Sequence, residues 1–321
     1  MTVLVNAKRT LAMKLESTSG TAIAVADADF NLRFFDIEVD AEIEYWVNRF
    51  ASGRHSLAGG VMGKKKVTIT AKHAMNLGAA AATAPLLSKA FKVCGQLETV
   101  TGGTSVDWTP LATKDEGDSI TATLKVIYVP VSGNAVILTA KGCMGNCVIS
   151  MDDLGQPLVA AFTFVGAFVS IADGTALVLT SPDTSIPPAV IGSAISSNGT
   201  VEQIGKMSLD FGNDVQLDYD PSDVTGYLAA YIANRNPKWM MDPKMRLVAT
   251  DAIYTRWAAG TEGILSLATA AVGGLKYTIS APKGQLETNK FSARNEAVTF
   301  DQVFELHEST GNDAHKILQS A

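Results

Sequence analysis

The residues able to do chemistry in this sequence are few and poorly grouped. Cys143 and Cys147 lie close enough along the chain to share a zinc ion, but a structural zinc site needs four ligands, and Cys94 is the one other thiol. His55, His73, His307 and His315 are scattered, none at ligand spacing from another His or a Cys. Two small apolar residues in a hairpin describe the cysteine pair better. "GGVMGKKK" at 59–66 invites comparison with a phosphate loop. It lacks the first glycine of that pattern and has Lys65 where Ser or Thr should hold magnesium, so it predicts a flexible basic loop leading into a strand. Asp152 and Asp153 are adjacent on a turn, where carboxylates point apart, unlike a catalytic pair. There is no G-x-S-x-G, no ordered Ser-His-Asp set and no dinucleotide fingerprint. The expectation is a protein with no enzymatic activity, no cofactor and no metal.

The elements around these residues are mostly strands. The chain has 321 residues, 47% hydrophobic and 18% charged, enough for real cores and too little charge for disorder. Its net charge of −6 argues against phosphate-driven nucleic-acid binding and against a membrane surface. No signal-peptide core and no long apolar run is visible, so an intracellular origin without a membrane span is expected. An odd three cysteines make a disulfide framework unlikely by count. The 27 glycines fall mainly between short alternating runs. "KVTITAKHAM" places Val67, Ile69 and Ala71 on one face, and "SVDWTP" and "SITATLKVIYVPV" read likewise. "LVAAFTFVGAF" has Phe162, Phe164 and Phe168 on one face and Val159, Ala161, Thr163 and Val165 on the other, which predicts a strand between two layers. Two helices are expected. "APLLSKAFKVCG" opens at Pro85 and stops at Gly95; "ATDAIYTRWAAG" has Thr250 or Asp251 as N-cap, a stripe of Ile253, Trp257 and Ala258, and a stop at Gly260.

The chain also repeats itself. Each half reads strand, helix, strand, a Gly-Gly turn (Gly102-Gly103, then Gly273-Gly274), strand, a Lys-Gly turn (Lys141-Gly142, then Lys283-Gly284) and a hairpin. This order predicts tandem β-sandwich domains, each with one packed helix, at 1–180 and 201–321. A Ser-, Pro- and Gly-rich linker at 181–200 would join them, part of it an ordered arm. Two segments have interface-like composition. Residues 41–66 carry Tyr45, Trp46, Arg49, Arg54, Lys64 and Lys65, and residues 231–247 carry Trp239 and Met240.

The serial order of "LAMKLESTSGTA", "APLLSKAFKVCG", "ETVTGGTSVDWTP", the hairpin ending "FTFVGAF" and "MSLDFGNDV" resembles tail tube (major tail) proteins of long-tailed bacteriophages, the type with a duplicated tube domain. The likeness covers nearly the whole chain and rests on order, since no single motif is diagnostic. It departs at Gly166-Ala167-Phe168, where a Gly-aromatic step is usual, and in the second half, which has no Pro-Leu-Leu helix opening. The resemblance implies strands joining between subunits into a β-barrel around a lumen, with three chains closing a pseudo-sixfold ring. It implies stacking of rings into a tube in the virion tail, assembled in the host cytoplasm. DNA would pass through without specific binding, and tape-measure, tail terminator and distal tail proteins would be partners. Residues 41–66, the N-terminal arm and the tail "ESTGNDAHKILQSA" are the stacking candidates. Other tail or capsid accessory proteins, a tail-derived contractile device and a carbohydrate-binding adhesin are the competing readings.

Overall fold

The computed structural model describes residues 4–47, 59–111, 120–130, 133–153, 155–179, 182–192, 194–248 and 252–321, with side chains from residue 9 onward. It is mainly β. The first half contains β1 (Leu4–Leu15), β2 (Phe35–Trp46), β3 (Val61–Ala74), α1 (Ser88–Val93), β4 (Gln96–Thr101) and β5 (Ser105–Pro110). It continues through β6 (Ala122–Pro130), β7 (Ala135–Met151) and β8 (Val159–Gly174). The second half opens with β9 (Ala194–Ser197), β10 (Thr200–Val201), β11 (Met207–Asp210), β12 (Asn213–Tyr219), β13 (Tyr227–Arg235) and β14 (Lys238–Met241). It ends with α2 (Ile253–Ala259), β15 (Gly263–Ala268), β16 (Lys276–Arg294), β17 (Ala297–His307) and β18 (Lys316–Ser320).

Eight of these strands lie side by side in the order β2-β3-β8-β7-β11-β14-β17-β16, all neighbours antiparallel. The alternation of each strand decides which face is covered. Val67 and Ile69, Phe162 and Phe164, Leu209, Trp239 and Phe304 point into one core. The opposite face is open: Thr163 is exposed and Val159, Ala161 and Val165 are only half-buried. That corrects the expectation of a second layer against both faces of β8; among the described residues no layer covers these small side chains. The core is closed from the other side by α1, by β1-β6 with the outer part of β7, and by strands running β4-β5-β18-β16-β15-β9. β18 joins the halves, pairing Ile317 with Trp108 of β5 and with Ile279 of β16.

β7 and β16 run through both layers, and their bends explain the repeated Lys-Gly steps. These steps are not turns. Lys141-Gly142 lies within β7 and Lys283-Gly284 within β16, near the point where each strand exchanges partners. An extra residue on the long strand, a β-bulge, bends it without ending its pairing. Gly142 takes the left-handed conformation at this bulge (φ 58°) and its N–H donates to the Glu16 carboxylate (2.9 Å). The Gly-Gly pairs do close hairpins, β4–β5 and β15–β16, but these hairpins are not counterparts. Leu265 of β15 pairs with Ala281, as Leu124 of β6 pairs with Ala140, so β15 matches β6. The β4–β5 hairpin is an addition of the first half.

Both helices are short enough to depend on packing rather than propensity. α1 buries Ala90, Phe91 and Val93 and stops at Gly95 (φ 68°). α2 stops at Gly260 (φ 63°), but of its expected stripe only Ile253 is buried; among the described residues no element lies over Trp257 and Ala258, which are exposed. Its proposed caps Thr250 and Asp251 lie outside the described residues, and Ala252 stands at the N-cap. Residues 61–66, expected as a loop, form the start of β3. Of the segment expected as a linker, residues 182–192 lie against the first half, through the Asp183 N–H to the Asn31 carbonyl (3.4 Å) and a bridge from Pro157 to Ala189, and Ala194–Ser197 enters the sheet as β9.

Candidate assembly interface

The junction between the halves is a strand pair inside one sheet. β7 meets β11 through Val148↔Asp210, Ile149↔Leu209, Ser150↔Ser208 and Met151↔Met207. Ile149 and Leu209 are both 0% exposed. Asp210 accepts from Asn146 Nδ2 (2.8 Å) and from its own turn at Gly212 N–H (2.8 Å), which fixes where β11 ends.

The strands flanking this junction are repeated register for register. Asn146↔Thr163 of β7–β8 has its counterpart in Thr288↔Val303 of β16–β17, and Val148↔Ala161 in Lys290↔Asp301. Val39↔Ile69 of β2–β3 corresponds to Leu209↔Trp239 of β11–β14, and Asp40↔Thr68 to Asp210↔Lys238. The sheet thus holds two runs of four strands, β2-β3-β8-β7 and β11-β14-β17-β16, joined by β7 and β11. At its ends the corresponding strands have open edges. Among the described residues β2 pairs with β3 alone, and β16 from Thr288 onward pairs with β17 alone. Phe291, the counterpart of buried Ile149, is 73% exposed.

An exposed strand edge is normally blunted by charge. β2 alternates Glu38, Asp40, Glu42 and Glu44, of which Glu42 holds Lys66 (2.9 Å) and Glu44 holds Lys64 (3.5 Å). The hydrogen bond to Glu42 raises the Lys66 ammonium pKa above its ordinary value. On the other edge Lys290 is exposed, and it is the residue matching Val148, the partner of Asp210. Two β2 edges would repel one another, whereas β2 and β16 are complementary. Asp210, Asp301 and Glu305 continue the acidic character across the open face, with Lys238 drawn to Glu287 (2.9 Å) and Lys206 to Asp301 (3.2 Å).

Of the residues singled out from sequence, Tyr45 and Trp46 are exposed at the outer end of β2, and the Tyr45 hydroxyl accepts the Gly60 N–H (3.0 Å). Lys64 lies 4.6 Å over the Tyr219 ring, and the Lys65 N–H donates to the Thr225 carbonyl (2.9 Å), so both meet the turn between β12 and β13. Arg49 and Arg54 lie outside the described residues. Trp239 corrects the interface expectation. It is 0% exposed, between Leu209 and Phe304 in the sheet, because its place in β14 points inward; Met240 beside it faces the open side. The tail at 308–321 is likewise no free arm, since Lys316–Ser320 is β18 and Gln319 is buried, donating to the Thr83 carbonyl (2.9 Å). The N-terminal segment is β1, paired with β6.

Sequence reasoning missed the acidic alternation of β2, which was visible in "DIEVDAEIEYW", and Phe291, which was not. The cysteines Cys94, Cys143 and Cys147 are buried free thiols whose pKa burial pushes up. A crevice of about 750 Å³ opens beside the start of β2 among Phe34, Asp36, Ile37 and Lys72. No helix among the described residues is long and apolar enough to cross a membrane. A mainly β protein with a large antiparallel sheet and two matching open edges is the class these features define. Compared with known families and curated proteins, the chain matches no family model and no curated sequence.

Proposed function

We propose that this protein is a structural subunit that closes into rings, three chains to a ring, and that stacked rings form a phage tail tube. The observation that carries the reading is the repeated run of four strands, joined once inside the chain at β7–β11 and left unjoined at β2 and β16. A heterologous contact of this kind closes a ring when its rotation divides a full turn. In this reading β16 of one chain meets β2 of the next as β7 meets β11, placing Lys290 opposite Asp40 and Phe291 opposite Val39. The two halves are tandem tube domains, eight strands from each of three chains form the barrel, and the open face of the sheet lines the lumen. Closure removes both sheet edges and buries Phe291.

The chemistry of the open face supports the same role. Glu38, Asp210 and Glu305 present carboxylates while Lys66 and Lys238 are held by Glu42 and Glu287. A wall of that kind repels phosphate, so DNA passes without the counterion release that drives binding. The tube would belong to the virion tail, with the tape-measure, terminator and distal tail proteins as partners. Negative-stain microscopy of concentrated protein tests the reading. Rings or hollow tubes are expected; a chain that stays monomeric at every concentration and binds glycans would make the adhesin reading the better one.

A further inference from the structure

β12–β13 and the outer part of β2–β3 are one hairpin in two settings. Tyr45 pairs with Met62 and Trp46 with Val61; in the same register Val215 pairs with Ile232 and Gln216 with Tyr231. A bulge lies just before each set, and each hairpin follows a corresponding strand, β11 in one case and the inner part of β2 in the other.

The second arm is docked on the other half of the chain. It leaves β11 at Gly212 (φ 63°) and crosses to β7 and the end of α1. Asn213 Nδ2 donates to the carbonyls of Cys94 (2.8 Å) and Gly145 (3.0 Å), and Arg235 Nη2 donates to that of Gly95 (3.1 Å). Ile232 lies against Gly95, and Ala229 lies so close to Gly142 that a β-carbon there would fall 2.7 Å from the Ala229 Cα. An ion pair from Lys141 to Asp223 fastens the tip. Among the described residues the first arm touches the β12–β13 turn through Lys64 and Lys65, and its outer end has no such seat. Tyr45, Trp46 and Met62 are 53%, 61% and 65% exposed, whereas Val215 and Ile232 are half-buried.

We infer that the β2–β3 arm of one chain folds across the second half of its ring neighbour, gripping the end of α2 and the Lys283-Gly284 step of β16. This rests on the ring reading, and it follows from the same seam: the arm of the second half grips the first half because β11 is seated on β7. The landing surface has the same parts. Gly95 and Gly260 both end a helix in the left-handed conformation, and Lys283-Gly284 matches Lys141-Gly142 in register, Lys283↔His307 against Lys141↔Ala167. Lys65 has the place of Arg235 and would donate to the Gly260 carbonyl. Trp257, one helical turn before Gly260, is exposed in the free chain and supplies apolar surface for Tyr45 and Met62. The arm therefore acts sideways within a ring, rather than upward between rings.

A photo-crosslinking amino acid at Met62, in a mixture of light and heavy isotope-labelled chains, tests this. Assembled rings should yield mixed-isotope crosslinks from residue 62 to peptides containing Trp257 or Lys283. The same probe at Ile232 should give crosslinks within one chain, to the peptide around Gly95. Rings that form with the Met62 probe attached to the neighbour's first half, to an adjacent ring or to nothing would overturn the arm placement while leaving ring formation standing. A failure to form rings at all would instead overturn the function on which it rests. Tyr45→Ser with Met62→Ser provides a second reading, raising the concentration for half-assembly at least about tenfold with the monomer's melting temperature unchanged; an unaltered assembly curve would also overturn the inference.

Discussion

The β7–β11 seam and the β2 and β16 edges are the same junction, once filled and once empty. At the filled junction Ile149 and Leu209 are buried, Asp210 is bonded to Asn146, and the following hairpin is fastened across the seam. At the empty one Phe291 is exposed, Lys290 and Asp40 face solvent, and Tyr45, Trp46 and Met62 at the outer end of the corresponding hairpin are exposed. The difference teaches where stability and assembly lie. The inner seam is part of the fold; in the proposed ring the outer edges would carry the same pairing between chains.

The largest expected effect separates these roles directly. Leu209→Ala should cost about 3 kcal/mol of chain stability, in the range for a buried leucine, read by urea unfolding. Phe291→Ala should change the dilute chain by less than about 0.5 kcal/mol yet sharply reduce assembly, read by sedimentation. Equal stability losses in the two would erase the distinction between seam and edge.

Acid should loosen the inner junction next. His315 stacks on Phe211, which follows β11, at a ring separation of 4.7 Å, and its Nε2 lies 3.2 Å from Gln96 Oε1. Burial lowers its pKa to about 3. The unfolded chain takes up the proton near pH 6.5 and the folded chain does not, so stability is full above that pH and declines as pH falls toward 3. At about 1.4 kcal/mol per unit, roughly 2 kcal/mol should be gone by pH 5 in urea titrations. His315→Gln should flatten that slope; an unchanged slope would mean the histidine is not the group responsible.

The smallest effect concerns charge at the open edges. Asp40→Lys should weaken assembly several-fold, and adding Lys290→Asp should restore most of it; each exposed pair is worth at most about 1 kcal/mol. No recovery in the double variant would mean that these two residues do not meet.

Much of the fold was legible in sequence because period-two alternation directly reports one buried face, as in β3 and β5. The helix stops were legible because Gly95 and Gly260 adopt a backbone conformation that favours glycine. The order of repeated elements was visible, but their equivalence was not. Gly102-Gly103 and Gly273-Gly274 look alike and close different hairpins, while Tyr45↔Met62 and Val215↔Ile232 share no residue type and occupy the same register. Register is set by pairing across the sheet, which composition does not encode. Trp239 was misread for a related reason: an aromatic beside prolines has interface composition, and only its position in β14 turns it inward. The lysine pair at 64–65 was read as part of a loop and lies instead in β3; the contact it makes with the β12–β13 turn depends on a fold-back at Gly212 that the sequence does not announce.

The most direct test is the number of chains in the closed assembly. Native mass spectrometry of single rings, released from tubes or caught before stacking, should give three times the 33.8 kDa chain mass. A dimer, a six-chain ring or an open series of every size would contradict the claim that β2 and β16 repeat the β7–β11 seam.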